Sequence, residues 1–412
     1  MTIYKDPPSA TRLERKHRLV PIVLGVSYLA IAVGNLALPE TLKSGFLLDY
    51  LTVALGIIIV FALFRLMALY ERIGSVLVIL FYLASLIPGM IIASGSPYSQ
   101  AKLQALAIAG IVLITPLCLR VDKTRTFAVL VIGMGLFSVL YSVLLPELGV
   151  SSDTGRVSAF GLNPIGVARL TAAGTVIAFA VLMTRRLGTL WTNALALGVF
   201  ALCSVASIAT GSRGPVVAAL VSCAVMLIAL VASRRLSVWW LMALVVAAVL
   251  VIDLLSTAGS LGLDRILDGT DSGRSSIYSD TLSLILAHPA GIGWGNLPDY
   301  LPQYVQVGSN ILYPHNLFLE VAVEGGWLAF LTTVLLTIVV FVGAWRSSQK
   351  STSIWPLLVL SALTYSFVNA QFSSDIVGNR MMWVLMGFAV AFAPQKRTSA
   401  HSRTGSSGRI MA

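Results

Sequence analysis

Twelve apolar runs, each roughly 17 to 28 residues long, follow one another along this chain and leave little room for anything else. They occupy residues 19–38, 46–64, 73–93, 103–119, 127–145, 164–183, 191–210, 215–232, 238–255, 317–344, 354–372 and 376–393. At about 1.5 Å per residue, a helix of that length crosses a hydrocarbon core. Lipid offers no partners to a backbone, so each crossing segment must satisfy its own N–H and C=O groups. The pattern therefore predicts an all-α polytopic integral membrane protein with about twelve transmembrane helices. A mean hydropathy of +0.89 agrees with this. The chain divides into a tail at 1–18, helices one to nine at 19–255, a long loop at 256–316, helices ten to twelve at 317–393, and a second tail at 394–412.

Charge orients that arrangement. With both termini in the cytoplasm, one face holds the first tail, the turns around Arg65/Arg72, Arg120/Lys123/Arg125, Arg185/Arg186, Arg234/Arg235 and Arg346/Lys350, and the second tail. That face has 20 of the 28 Lys and Arg and a net charge of +16, while the remainder of the chain is at −5. Basic loops mark the cytoplasmic side of a membrane. The pI of 9.8 thus records topology, and no basic patch interleaved with stacking groups points to nucleic acid. The first run is too long for a signal peptide and lacks a small-residue cleavage site, which predicts a retained helix. Cys118, Cys203 and Cys223 all fall inside spans, so neither a disulfide framework nor a Cys/His metal site is expected. Gly293-Trp294-Gly295 lacks a phosphate-loop lysine, and no nucleotide or other cofactor is called for.

The long loop shows no alternation that would make a sheet. Residues 276–287 instead predict a short helix with Ile277, Leu282, Ile285 and Leu286 on an apolar side, ended by Pro289 and Gly291. Such a helix lies at the interface or roofs a cavity. The loop closes on Tyr313-Pro314-His315-Asn316, directly before span ten.

The arginines of chemical interest are those on the acidic face, where topology does not explain them: Arg156, Arg213, Arg274, and Arg169 inside the sixth span. Each alone is compatible with an interfacial arginine meeting lipid phosphates or a nearby carboxylate. A guanidinium within a span needs water, a partner or an exit to the headgroups. Together, Arg156, Arg213, Arg274 and His315 place donors on one face, as a lipid-linked pyrophosphate requires. The glycines flanking Arg213 would let backbone approach a phosphate. His315 can accept the proton of an attacking hydroxyl, and neighbouring arginines favour its neutral form. Asn316 either orients a sugar or caps the following helix. Glu320 and Glu324 are placed to pair with an arginine. His288, before Pro289, reads as structural, and His17 is cytoplasmic.

In this order the motifs resemble the O-antigen ligase and polymerase superfamily of bacterial envelope proteins. The residues concerned are Arg156 with Gly161 and Asn163-Pro164, Gly211-Ser212-Arg213-Gly214, Gly273-Arg274 leading to His288–Gly295, and His315-Asn316 followed by Glu324-Gly325-Gly326. Twelve spans and a long loop before the tenth favour a ligase. The resemblance implies a glycosyltransferase scaffold of the GT-C type with a periplasmic site under the loop between helices nine and ten. It implies an undecaprenyl-pyrophosphate-linked glycan as donor and lipid A–core oligosaccharide as acceptor, with His315 as base. Arg213 and Arg274 would serve the leaving pyrophosphate, Arg156 and Asn316 would bind substrate, and no metal would be needed. A repeat-unit polymerase with the same donor, and a polytopic transporter, are the alternatives.

Overall fold

Self-satisfied helices are what these apolar runs form. The computed structural model describes residues 11–37, 50–119, 122–151, 157–159, 162–184, 189–237, 239, 242, 274–306, 309–310, 312–376 and 378–394. Helices α1 (Thr11–Ala37), α2 (Tyr50–Leu63), α3 (Ile73–Ser85) and α4 (Ile87–Ile92) are followed by α5 (Pro97–Ile114) and α6 (Lys123–Leu148). Then come α7 (Pro164–Thr184), α8 (Leu190–Ala209), α9 (Arg213–Ala232), α10 (Arg274–Ala287), α11 (Leu317–Lys350), α12 (Ile354–Phe372) and α13 (Arg380–Phe392). Among the described residues, seven segments are long and apolar enough to cross a membrane, and α2, α13 and the stretch Leu19–Gly34 are shorter apolar helices. The chain is thus a largely helical, multi-spanning membrane protein. The ninth expected span, 238–255, apart from residues 239 and 242, and Arg156 lie outside the described residues, as do 1–10 and 395–412.

Two small ladders depart from the all-helical expectation. β1 (Gly149–Ser151) pairs antiparallel with β2 (Val157–Ala159), and in the long loop β3 (Val305–Gln306) pairs with β4 (Ser309–Asn310). Two or three residues per strand are too few for alternation to register in the sequence.

Helix α12 packs against α7, α9, α11 and α13 and is buried at every position from Pro356 to Ser366. Aromatic rings tie α1, α6 and α13 together: Phe127 lies 5.2 Å from Phe388 and 5.8 Å from Phe392, and Tyr28 meets Phe388 at 5.1 Å. At one end of the bundle, basic side chains cap carbonyls at helix C-termini. Arg72 donates to Val390 O, Lys123 to Ala391 O and Arg235 to Ser348 O. Cations there answer both the unpaired carbonyls and the negative end of the helix dipole.

At the opposite end two helices are broken, and one segment fills both breaks. The third expected span parts into α3 and α4 at Leu86, ahead of Pro88. Helix α11 is interrupted at Gly326, whose φ of 78° suits glycine alone at low cost. Residues 288–296 insert between them. Trp294 donates through its indole to Leu86 O and through its backbone to Gly89 O, while Ile292 and Gly293 donate to Val323 O and Glu324 O. Trp327 returns a bond to Pro289 O at 2.9 Å. A Cβ on Gly326 would stand 2.5 Å from the carbonyl carbon of Ala290. The irregular backbone is tolerated because protein partners bond the polar groups that the breaks free.

Candidate functional site

His315 ends the long loop in a left-handed conformation, φ 56°, which costs a non-glycine residue about 1–2 kcal/mol. Asn316 follows as the N-cap of α11, its Oδ1 accepting from Phe318 N and Leu319 N at 3.0 and 3.1 Å. Of its two expected roles, capping is the one the geometry displays. The imidazole is half-buried against Tyr313, ring centroids 4.5 Å apart, and its Nδ1 is buried without a hydrogen-bond partner. Burial first, then the positive charge of Arg274, pulls the His315 pKa from 6.5 down to about 4, with Asp375 opposing. The side chain is therefore neutral at pH 7. Burial, reinforced by Asp375 and Glu320, pushes Tyr313 up to about 12, so its phenol keeps its proton.

Arg213 is the first residue of α9, after the N-cap Ser212. Its guanidinium thus starts from a helix N-terminus, where free amides and the dipole favour anions. Arg274 is carried on α10. Arg274 acts electrostatically on His315, so these two are brought together. The Arg213 turn meets the same region from another side: a Cβ on Gly214 would touch Phe372 Cβ at 3.0 Å, and Phe372 leads into the loop that carries Asp375. Gly214 thus also lets α9 approach Phe372 at the end of α12. Val157, next in sequence to Arg156, donates to Thr210 O at 3.4 Å and ties that segment to the Arg213 turn. Arg156 itself is outside the described residues.

Arg169 is assigned by its partners. It is 5% exposed, and one terminal nitrogen donates to Asn369 O, Ser373 O and Asn379 Oδ1 at 3.2, 2.6 and 3.1 Å. It fastens the loop between α12 and α13 through that nitrogen, while its Nε is buried without a partner.

Glu320 and Glu324 do not pair with an arginine. Both bind Lys102, at 2.8 and 2.6 Å, and all three are fully buried. Glu320 also accepts from Ile376 N, Glu324 from Gly295 N, and Asp375 from Tyr98 OH at 3.1 Å. One ion cluster thus joins α5, α11, the 288–296 insertion and the loop beneath His315. Lys102 falls between the expected spans 73–93 and 103–119, where the sequence predicts a connection. The signal was present, because a lysine on the acidic face is as unexplained by topology as the arginines were. Arg380, opening α13 at this end, was also passed over; its Nε is buried without a partner. Among the described residues no group of three or more His, Cys, Asp or Glu could hold a metal ion.

His288 packs its ring on Tyr300 at 5.3 Å and opens the insertion, in keeping with a structural role. The motif from His288 to Gly295 and the Glu324-Gly325-Gly326 motif are therefore two halves of one interlock. Comparison with known proteins falls on the same residues. A family model described as O-antigen ligase matches residues 198–334, a stretch that takes in Arg213, Arg274, His315 and both halves of the interlock. No curated protein matches the chain.

Proposed function

We propose that this chain performs the chemistry of the family its residues 198–334 match, as a ligase that moves O-antigen polysaccharide from undecaprenyl pyrophosphate to lipid A–core oligosaccharide. The observation that carries this reading is the half-buried, neutral imidazole of His315, its Nδ1 without a hydrogen-bond partner, within electrostatic reach of Arg274. A polytopic scaffold of about twelve spans and GT-C type, with both termini cytoplasmic and the site periplasmic, belongs to the same reading. The acceptor hydroxyl oxygen attacks the anomeric carbon as His315 takes its proton. The bond from that carbon to the pyrophosphate oxygen breaks with its electron pair, and the carbon is inverted. Arg213 and Arg274 meet the charge that grows on the leaving group, with Arg156 as a third contact. Asn316 serves by holding the turn that aims His315. The reaction needs neither ATP nor a resident cofactor.

The broken helices α3/α4 and α11 would interest a transporter reading, but Trp294 and its neighbours fill both breaks. Single-turnover transfer by purified protein, with lipid A–core or a second lipid-linked donor as acceptor, tests the proposal and separates ligase from polymerase. Arg213→Lys and Arg274→Lys keep the charge but lose the planar fork, so each should lower turnover by about 2–5 kcal/mol in transition-state stabilisation. Ordinary turnover by both variants at unchanged protein level would remove the pyrophosphate clamp from the mechanism.

A further inference from the structure

We infer that the last two turns of α10 are inserted in the lipid leaflet at the His315 end of the bundle, so that the bilayer itself covers the exposed face of this loop helix. One face of α10 is buried: Ile277 and Ile285 join a cluster with Ala322 and Val323 of α11, and Thr281 between them is buried as well. The other face is open and graded. Its first two turns expose Ser275, Ser276 and Ser279; its last two expose Leu282 at 51% and Leu286 at 75%, with Ala287 and a single serine, Ser283, whose hydroxyl donates to Ser279 O within the helix. No charged residue interrupts the exposed positions of α10.

An independent marker sets the depth of that apolar end. Trp327 and Trp345 lie eighteen residues apart on α11, about 27 Å along a helix and close to the thickness of a hydrocarbon core. Tryptophans gather at both membrane interfaces. Between them α11 exposes Leu328, Leu331, Leu335, Ile338, Val339 and Val342, the belt expected to face lipid. Trp327 thus marks one boundary of the core. The bond from Trp327 N to Pro289 O pins the C-terminal end of α10 to that boundary, three residues beyond Leu286. The serines lie toward Arg274 and His315, away from it. Leu282 and Leu286 therefore continue the lipid-facing belt of α11, and the helix descends from water into the interface. Its anchored end fixes the height of its first residue, Arg274, over His315.

The test uses the full chain in phosphatidylcholine/phosphatidylglycerol liposomes, with single cysteines at Ser275, Ser279, Leu282 and Leu286. The native cysteines Cys118, Cys203 and Cys223 are buried. Each site carries a nitroxide read for collision with oxygen and with a water-soluble nickel complex. Oxygen access should rise and nickel access fall from 279 through 282 to 286, with 275 behaving as in water. Equal nickel access at all four sites would overturn the proposal and leave the helix standing in water. Protection of 282 and 286 from both probes, relieved by diluting protein in lipid, would overturn it in favour of a second copy of the chain.

Discussion

At the scale of single residues, the low pKa of His315 has a sign that kinetics can read. The free site holds the imidazole neutral down to about pH 4, because burial and Arg274 both oppose its charge. A bound pyrophosphate offsets Arg274 and favours the imidazolium, so the pKa rises in the complex. The acid limb of kcat/KM should accordingly lie well below 6.5, and that of kcat should lie at higher pH than that of kcat/KM. Both limbs at 6.5, or the reverse order, would show that His315 does not titrate in this role. His315→Gln, which keeps polarity without a comparable base, should lower single-turnover transfer by roughly 10²–10⁴-fold and leave donor binding intact. Lys102 makes a contrasting case, since its charge supports structure. Lys102→Met leaves Glu320 and Glu324 buried without their cation and should cost about 3–5 kcal/mol in thermal denaturation. Adding Glu320→Gln and Glu324→Gln should recover most of that loss. A single variant that melts like the parent would show that the cluster supports nothing.

At the scale of elements, the sequence was a good guide wherever one run of residues makes one helix. The expected span 354–372 coincides with α12, and 164–183 differs from α7 by one residue. It was a poor guide at Leu86 and Gly326, because those breaks are compensated from more than thirty residues away, or from across the bundle. Glu324-Gly325-Gly326 and His288–Gly295 were legible as two separate motifs, but not that Trp294 of one fills the break in the other. Lys102 escaped for the same reason: periodicity records which residues share a face, and ion pairing depends on which helices meet. The interlock predicts a contrast among glycines. Gly326→Ala combines a positive φ with a 2.5 Å approach to Ala290 and should lower the melting temperature sharply. Gly56→Ala, with nothing within 4 Å of its Cβ, should not lower it. Similar melting of the two variants would mean that the α11 break is not held as described.

At the scale of the whole molecule, the two ends of the bundle differ in chemistry as the charge count implied. Arg72, Lys123 and Arg235 cap helix ends at one pole, while His315, Arg274, the Lys102 cluster and Asp375 gather at the other. If the basic pole faces the cytoplasm, the site faces the periplasm, where a lipid-linked polysaccharide and its acceptor would meet. Ser237 and Asp299 are both exposed in the fold and lie on segments from opposite poles. Cysteines at the two positions should therefore react equally with a maleimide in detergent. In spheroplasts treated with a membrane-impermeant maleimide, the cysteine at 299 should react and that at 237 should be protected until the membrane is opened. The native cysteines add no background, because all three are buried. The opposite pattern would invert the molecule and move His315 to the cytoplasm, where neither proposed substrate would reach it. Labelling of both sites in sealed spheroplasts would place both segments on one side and remove the odd number of crossings between them.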